Sequence, residues 1–328
     1  MQRIRRILVA VGDPGVRGFP AIEKAAQLAQ AFGASIEIFH ALSLPRYRAF
    51  NGLGARYLEQ VEHSEQVRMR SRLEALAEKL REQRIATTTH VAWDFPAGEA
   101  IVRRAKRIGA DLIVAQCHAG KHKGGWFLRL TDWDLLRYSS LPVLLVKSRR
   151  PYRKPCLLSA VDPTHAFAKP AKLDAEILRT ADQFRSALHG TMHVVHAFVP
   201  TPADAKPSEL LDPDATHILE ARARAHARAR LDPLLKNVQI ARSAKHLVGE
   251  HPINAVPRLA RRIGCDIVVM GAISRSGLKR IFIGNTAERM LDSLECDVLV
   301  VKPPGFGGSK APAKASGRAT SRLLDSAP

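Results

Sequence analysis

Asp111-Leu-Ile-Val114, in the first half of the chain, recurs as Asp266-Ile-Val-Val269 in the second half. Leu144-Leu-Val-Lys147 recurs in the same way as Leu299-Val-Val-Lys302, and both pairs are offset by 155 residues (266 − 111 and 302 − 147). A repeat of this length is much longer than the units of solenoid proteins and indicates a duplicated domain. Function must therefore be sought in what the two copies share and in where they differ.

Short β-branched segments alternate with helical stretches in each half. The first half predicts strands at 6–11, 35–41, 87–92, 112–115 and 142–147, and helices at 20–32, 56–84, 98–108 and 132–138. The second half predicts strands at 156–161, 192–198, 242–248, 267–270 and 298–301, and helices at 171–188, 215–235, 254–263 and 285–294. Apolar strands that alternate with helices indicate a parallel sheet covered on both faces. The predicted fold is α/β, with two tandem doubly wound five-stranded parallel sheets, whose ligands bind beyond the carboxyl ends of the strands.

Composition sets further expectations. The repeat divides the 328 residues into domains at 1–150 and 151–303, and residues 304–328, rich in Gly, Pro, Ala, Ser and basic residues, are expected to form a basic disordered tail. The formal net charge of +20 favours contact with anionic partners. The sequence contains no apolar stretch long enough to cross a bilayer, and its four cysteines include no CxxC pair. We therefore expect a cytoplasmic protein without a membrane partner.

The segment from Met270 to Thr286 is the candidate ligand site. Gly271 directly follows the fourth strand of the second half, where a missing side chain lets backbone approach a ligand. Gly284 precedes a helix expected to begin at Asn285, whose free N–H groups and macrodipole favour an anion. Other residues that can donate hydrogen bonds or raise the local potential are Ser274, Arg275, Lys279, Arg280, Asn285 and Thr286.

A purely structural interpretation explains the same residues. Asn285 and Glu288 have the spacing of a capping box, which needs no ligand, and both glycines could serve turns. Because short glycine patterns have low specificity, spacing alone leaves both interpretations open.

The arrangement resembles the universal stress protein family, whose nucleotide-binding members carry G-x2-G-x9-G-[ST] after the fourth strand. Gly271 matches the first glycine and Gly284 the last, whereas Ser274 replaces the middle glycine and Asn285 replaces Ser or Thr. The resemblance covers almost the whole chain outside the tail. It implies the adenine nucleotide alpha hydrolase-like fold, ATP as the candidate ligand, and an internal pseudo-dimer in which the fifth strands of the two copies pair.

The resemblance also assigns residues outside the loop. Asp162 matches the acidic residue after the first strand, and Ala197 matches the position that abuts the base. The complete predicted nucleotide site is Asp162, Ala197, Met270, Gly271, Ser274, Gly284, Asn285 and Thr286.

The first copy lacks the glycines of this loop, although Asp13 persists after its first strand. Gln116, Arg129 and Leu130 stand where the second copy has Gly271, Gly284 and Asn285, so side chains occupy places where bare backbone would be needed. We therefore expect the first copy to be mainly structural.

Histidines near the predicted pocket are expected to be structural. His193 and His196 lie three residues apart in one strand and must face opposite sides of the sheet. His196 and its counterpart His40 lie near the ends of their strands, where a hydrogen-bonded histidine is the simplest interpretation.

Other sequence patterns do not indicate a metal site, a catalytic site or a basic stripe on a helix. Cys117, His118 and His122 are too few for a zinc site, so no metal is predicted. The chain has no Walker A, G-x-S-x-G or H-E-x-x-H motif, and we expect no catalysis. Arg222, Arg224, Arg228 and Arg230 fall at about 0°, 200°, 240° and 80° around a helix and form no basic stripe.

Three functional hypotheses remain. The first is a stress-response protein that binds a nucleotide or phosphate ligand through its second domain. The second is a basic scaffold for nucleic acid or an acidic protein, in which the tail adds non-specific phosphate contacts. The third is an enzyme such as a slow ATPase. A homodimer is compatible with each of them.

Overall fold

The computed structural model describes residues 3–15, 18–42, 55–116, 127–164, 172–200, 215–271 and 285–303. In the first half, the strands are β1 Arg6–Ala10, β2 Ser35–Leu42, β3 Thr87–Trp93, β4 Leu112–Gln116 and β5 Val143–Val146, and the helices are α1 Pro20–Phe32, α2 Ala55–Glu82, α3 Ala97–Ile108 and α4 Phe127–Tyr138. In the second half, the strands are β6 Cys156–Ala160, β7 Thr191–Phe198, β8 Lys245–Gly249, β9 Ile267–Gly271 and β10 Asp297–Val301, and the helices are α5 Leu173–Ala187, α6 Thr216–Leu235, α7 Pro252–Arg262 and α8 Asn285–Ser293.

The strands form one sheet in the order β3-β2-β1-β4-β5-β10-β9-β6-β7-β8. Strand pairs within each half are parallel, and the halves join where β5 and β10 pair antiparallel, with Leu144 opposite Leu299. The predicted α/β fold with two doubly wound five-stranded sheets is confirmed. The edge strands of the two copies pair with each other and make the sheet continuous.

Helices cover both faces of this sheet. Leu157 and Val194 belong to the apolar core on one face, and their neighbours Leu158 and Val195 belong to the core on the other. Because both faces are buried, the strands are apolar throughout rather than alternating. Phe32 of α1 packs edge-to-face against Phe184 of α5, with ring centroids 5.4 Å apart. The two copies therefore share side-chain packing as well as strand pairing.

Two lysines at equivalent positions tie each copy to the last helix of the other. The Lys147 ammonium, just after β5, donates to the carbonyl oxygens of Leu291 and Leu294 near the end of α8. The Lys302 ammonium, just after β10, donates to the carbonyl oxygen of Leu136 in α4. Carbonyl groups in the last turn of a helix lack intrahelical partners, so each cation satisfies polar groups and complements the helix dipole.

Two predicted boundaries were wrong by three residues or more. Helix α4 begins at Phe127, five residues before the predicted start at 132, because Phe127-Leu-Arg-Leu130 contains no helix breaker. Strand β8 begins at Lys245 because Arg242–Ala244 form a short 3-10 helix instead. The division at residue 150 stays a prediction, and the predicted basic tail lies outside the described residues.

Helix α6 packs one face against the protein and exposes the rest to solvent. Ala223, Ala227 and Leu231 are buried at four-residue intervals, and its arginines are exposed. Arg224 pairs with Glu220 on the same surface, with an N···O distance of 2.9 Å. Across the described parts of the chain, no helix combines the length and apolar character needed to cross a membrane.

Candidate functional site

The candidate site lies at the point in the second domain where the strand order reverses. Strand β6 pairs with β7 on one side and β9 on the other, and Ala160 lies opposite both Val195 and Met270. The carboxyl ends of these parallel strands consequently share one edge of the sheet. Four of the predicted site residues meet at this edge: Asp162 after β6, Ala197 in β7, and Met270 and Gly271 at the end of β9. Open α/β sheets bind ligands at such a reversal.

Asp162 is held in place by both its backbone and its side chain. Its N–H donates to Asp174 Oδ1 at 3.1 Å, and its Oδ1 accepts a hydrogen bond from the Thr164 hydroxyl at 2.9 Å. The Asp162 side chain is nevertheless 41% exposed. The carboxylate is therefore oriented by the protein and still accessible to a ligand hydroxyl.

His196 anchors the backbone just before Asp162. Its Nδ1 lies 3.3 Å from the carbonyl oxygen of Val161, and in the first copy His40 Nδ1 lies 2.8 Å from the carbonyl oxygen of Val11. Because a carbonyl oxygen can only accept, Nδ1 carries the proton in both rings. Burial lowers the pKa of His40, which favours the neutral ring. The two histidines thus fix the turn after the first strand of each copy.

The prediction that His193 faces away from His196 is confirmed. His193 Nδ1 lies 3.0 Å from His246 Nε2 on the neighbouring strand, and the two rings stack. Burial lowers the pKa of His193 and of His246. This half-buried pair lies against the opposite face of the sheet from the His196 ring.

Packing explains the glycine at position 271. A Cβ built on Gly271 would lie 2.6 Å from Cδ2 and 2.9 Å from Cγ of Leu173, the first residue of α5. Leu173 is itself 1% exposed, so it has little room to withdraw. The structural interpretation therefore suffices for Gly271, whether or not a ligand also approaches it.

The last helices of the two copies begin at different places relative to the repeat. Helix α8 begins at Asn285, as predicted, whereas α4 begins three residues before Leu130, the counterpart of Asn285. In the second copy, the free N–H groups of the first helical turn begin at Asn285. In the first copy they begin at Phe127, three residues before the equivalent position, Leu130. Ser274 and Gly284 lie outside the described residues, and only the helical backbone is described for Asn285 and Thr286.

Sequence analysis missed two residues that shape this edge. Leu173 covers Gly271, and Asp174 accepts the N–H of Asp162. Both come from the first turn of α5, so the apolar–acidic pair at the start of that helix was the available signal. Within the described ranges, no group of three His, Cys, Asp or Glu residues is arranged to hold a metal ion, and Cys117, His118 and His122 lie outside those ranges.

The first copy uses its acidic residue differently. Asp13 Oδ1 accepts a hydrogen bond from the backbone N–H of Gly15 at 2.7 Å and closes a local turn. Gln116 ends β4 at the position of Gly271. The equivalent edge of the first domain thus keeps an aspartate but presents a side chain where the second domain has a glycine.

Comparison with known proteins gives consistent matches over both copies. The model of the universal stress protein family matches residues 3–147 and 172–302. Universal stress protein E of Salmonella typhi is 28% identical over 311 residues, which cover 93% of this chain and 96% of that protein. Universal stress protein E of Escherichia coli strain K12 is 31% identical over 221 residues, 66% of this chain and 68% of that protein.

A solved structure has the same two-domain architecture. The crystal structure of a functionally unknown protein from Pseudomonas aeruginosa PAO1 is similar, with a TM-score of 0.69 and 26% sequence identity. The alignment covers 92% of this chain and 93% of the other. The tandem arrangement is therefore shared with other bacterial proteins.

Proposed function

Because this chain belongs to the universal stress protein family, we propose that it acts in the cytoplasmic stress response by binding an adenine nucleotide, with ATP as the first candidate, in its second domain. The ligand would occupy the carboxyl edge of β6, β7 and β9. The first domain would serve mainly as the structural partner in the internal pseudo-dimer.

The observation that carries this proposal is the convergence of Asp162, Ala197 and Gly271 at the strand reversal, beside a helix that begins at Asn285. An exposed carboxylate suits the hydroxyls of a ribose, and a small residue such as alanine leaves space for a base. The free N–H groups at the start of α8 suit phosphate oxygens. Met270, Ser274, Gly284 and Thr286 complete the proposed site.

The proposed action is binding without turnover. Of the ionisable groups near this edge, His196 has its Nδ1 directed to the Val161 carbonyl oxygen, and Asp162 accepts from Thr164. Both groups therefore have structural roles that compete with proton transfer to a substrate. A bound nucleotide would act by stabilising the conformation that it prefers.

Isothermal titration calorimetry with ATP tests the proposal. We expect one site per full-length chain and loss of binding in Gly284→Arg, which introduces the residue that the first copy carries at position 129. Arg129→Ala is the matched control and should leave the heat of binding unchanged. Asp162→Asn should weaken binding about 10- to 100-fold, since a hydrogen bond to a charged group contributes roughly 1.5–3 kcal/mol. Equal heats from wild type and Gly284→Arg would reject this site.

Native mass spectrometry of protein purified without added nucleotide gives an independent test. A retained mass of about one adenine nucleotide per chain would support the proposal, and the same spectra would show whether two chains form a homodimer. Phosphate release at saturating ATP would refute action by binding alone and would favour the slow ATPase.

A basic scaffold is the second candidate function. The net charge of +20 favours it, together with exposed arginines along α6: Arg222, Arg224, Arg228 and Arg230. Its affinity for duplex DNA or RNA should fall steeply between about 50 and 200 mM salt, and fall further after removal of residues 304–328. An affinity that responds to neither change would exclude this function.

A further inference from the structure

Three of the four cysteines of the chain meet at one edge of the second domain. Cys156 begins β6, Cys265 comes two residues before β9, and Cys296 comes one residue before β10. Since β10, β9 and β6 are adjacent in the sheet, the three thiols converge at its amino edge. Five-residue strands separate this edge from the proposed ligand site by about 15 Å.

Cys265 is the central thiol of this cluster. Its Sγ lies 3.2 Å from the carbonyl oxygen of Ile267 and 3.5 Å from that of Cys156. The second of these contacts places the Cys265 sulfur beside the backbone of Cys156. Leu157 lies opposite Ile267, so Cys156 is level with Asp266 and lies diagonally across from Cys265. Such diagonal neighbours on strands about 4.8 Å apart have Cα atoms about 6 Å apart, which is a separation that a disulfide spans. All three residues are half-buried, so a small reagent can reach them more readily than a large one.

The first copy shows that the fold does not need these thiols. Its Arg6 N–H donates to Asp111 Oδ2 at 3.0 Å, just as the Cys156 N–H donates to Asp266 Oδ2 at 2.8 Å. In return, the Asp111 N–H donates to the Arg6 carbonyl oxygen and the Asp266 N–H donates to the Cys156 carbonyl oxygen, at 2.9 Å in both copies. The backbone scaffold is therefore conserved between the copies, while the residues at the three cysteine positions in the first copy are Arg6, Ala110 and Leu141.

Hydrogen bonding within the cluster makes the thiols unequal. The hydrogen bond from the Cys265 thiol, assisted by Thr191, lowers the pKa of Cys156 from 9.0 to about 7. Hydrogen bonding to Cys156 and Cys296, together with burial, raises the pKa of Cys265, which therefore holds its proton. The hydrogen bond from Cys265 also lowers the pKa of Cys296. The cluster thus favours the thiolate form at Cys156 and the protonated thiol at Cys265.

We propose that Cys156 and Cys265 form a reversible thiol–disulfide site that reacts with hydrogen peroxide. The Cys156 thiolate attacks one oxygen of the peroxide, the O–O bond breaks, and hydroxide leaves and takes up a proton to form water. The resulting sulfenic acid on Cys156 is then attacked by the Cys265 sulfur. The S–S bond forms, the S–O bond breaks, and hydroxide leaves with the thiol proton as a second water. Two thiols are oxidised and one peroxide is reduced to two waters.

The oxidation rate has an expected magnitude. A fall in pKa from 9.0 to about 7 raises the thiolate fraction at pH 7 about 50-fold. Nucleophilicity falls about tenfold over the same change, because its Brønsted coefficient is roughly 0.4–0.5. Because the gain in thiolate exceeds the loss in nucleophilicity, Cys156 should react with peroxide several-fold faster at pH 7 than a thiol whose pKa is not lowered.

The test is treatment of the reduced full-length protein with hydrogen peroxide, followed by intact-mass and peptide mass spectrometry. We expect loss of two hydrogens per chain, one joined peptide pair that contains Cys156 and Cys265, and recovery of the starting mass with dithiothreitol. A disulfide between any other pair, or a reaction no faster than that of the urea-unfolded chain at the same pH, would overturn the proposal.

Single substitutions distinguish the sulfur that attacks the peroxide, Cys156, from the sulfur that then forms the disulfide with it, Cys265. Cys265→Ala introduces the residue that the first copy carries at position 110, so it should fold. Its Cys156 should react more slowly, because the Cys265 thiol no longer lowers its pKa, but the sulfenic acid should persist and be trapped by a 1,3-dione. Cys156→Ser should slow peroxide consumption several-fold and abolish the disulfide with Cys265. Cys117→Ser is the matched control and should behave like wild type. A 1,3-dione adduct on Cys296 in Cys265→Ala, with none on Cys156, would reject the assignment of the attacking sulfur.

Discussion

Replacement of Asp297 by asparagine tests what holds the two copies together. The Asp297 carboxylate is fully buried at the start of β10 and binds the Lys24 ammonium of α1, 273 positions away in the chain. It also accepts the Tyr152 hydroxyl at 2.6 Å and the backbone N–H groups of Lys147 and Ser148 at 2.8 and 2.9 Å. This network joins both domains and the segment between them.

The expected cost of Asp297→Asn follows from these contacts. The remaining oxygen can still accept the N–H groups of Lys147 and Ser148, but the new NH₂ group faces two other donors, the Lys24 ammonium and the Tyr152 hydroxyl. Lys24 is only 2% exposed, so its cation would stay buried without a counter-charge. Removal of one partner of a buried ion pair typically costs about 3–5 kcal/mol. We expect the free energy of unfolding to fall by this amount.

Chemical denaturation with a double-mutant cycle measures this coupling. Lys24→Met removes the buried cation, so the double variant Lys24→Met/Asp297→Asn should be destabilised by about 2–3 kcal/mol less than the sum of the single variants. Glu220→Gln breaks the exposed pair with Arg224 and should cost less than about 1 kcal/mol. An Asp297→Asn effect as small as that of Glu220→Gln, or simple additivity in the cycle, would refute the reasoning.

Three further predictions concern buried groups. Burial lowers the pKa of Lys302 from 10.5 to about 8, so the cost of its buried charge is present below pH 8 and disappears as pH rises toward 10.5. Relative to Lys302→Met, wild type should gain about 1.4 kcal/mol in unfolding free energy between pH 7 and 9, and a constant difference would contradict this. Gly271→Ala should lower the free energy of unfolding by roughly 1–3 kcal/mol, because the new methyl group would clash with Leu173. In a Leu173→Ala background the same substitution should shift the urea midpoint less. Gly190→Ala should destabilise more than Gly271→Ala, because its Cβ would lie 2.2 Å from a backbone carbonyl oxygen, and the reverse order of urea midpoints would contradict it.

The elements that sequence predicted best are those with strong local signals. Helix α1 runs from Pro20 to Phe32, as predicted, since a proline suits the first turn and Gly33 adopts the left-handed conformation that ends a helix. Helix α4 was predicted too short because Phe127–Leu130 have no distinctive pattern, and helix propensity alone is a weak guide.

The candidate site was predicted less completely than the fold. The order of strands placed Gly271 directly after the fourth strand of the second copy, and the family resemblance added Asp162 and Ala197. Leu173 could not be identified in this way, because its contact with Gly271 joins segments almost 100 residues apart. The histidine positions were predicted, but the carbonyl oxygens that bind them appear only in three dimensions.

The amino-acid sequence by itself determined the duplication, the α/β class and the alternation of elements, because periodicity and repeated strands are local properties. Only the tertiary structure decided which distant groups meet. It brought Cys156, Cys265 and Cys296 to one edge, and it placed the Asp297 carboxylate against the Lys24 ammonium. Contacts of this kind depend on strand order and on the burial of charge, and neither can be read from the spacing of residues along the chain.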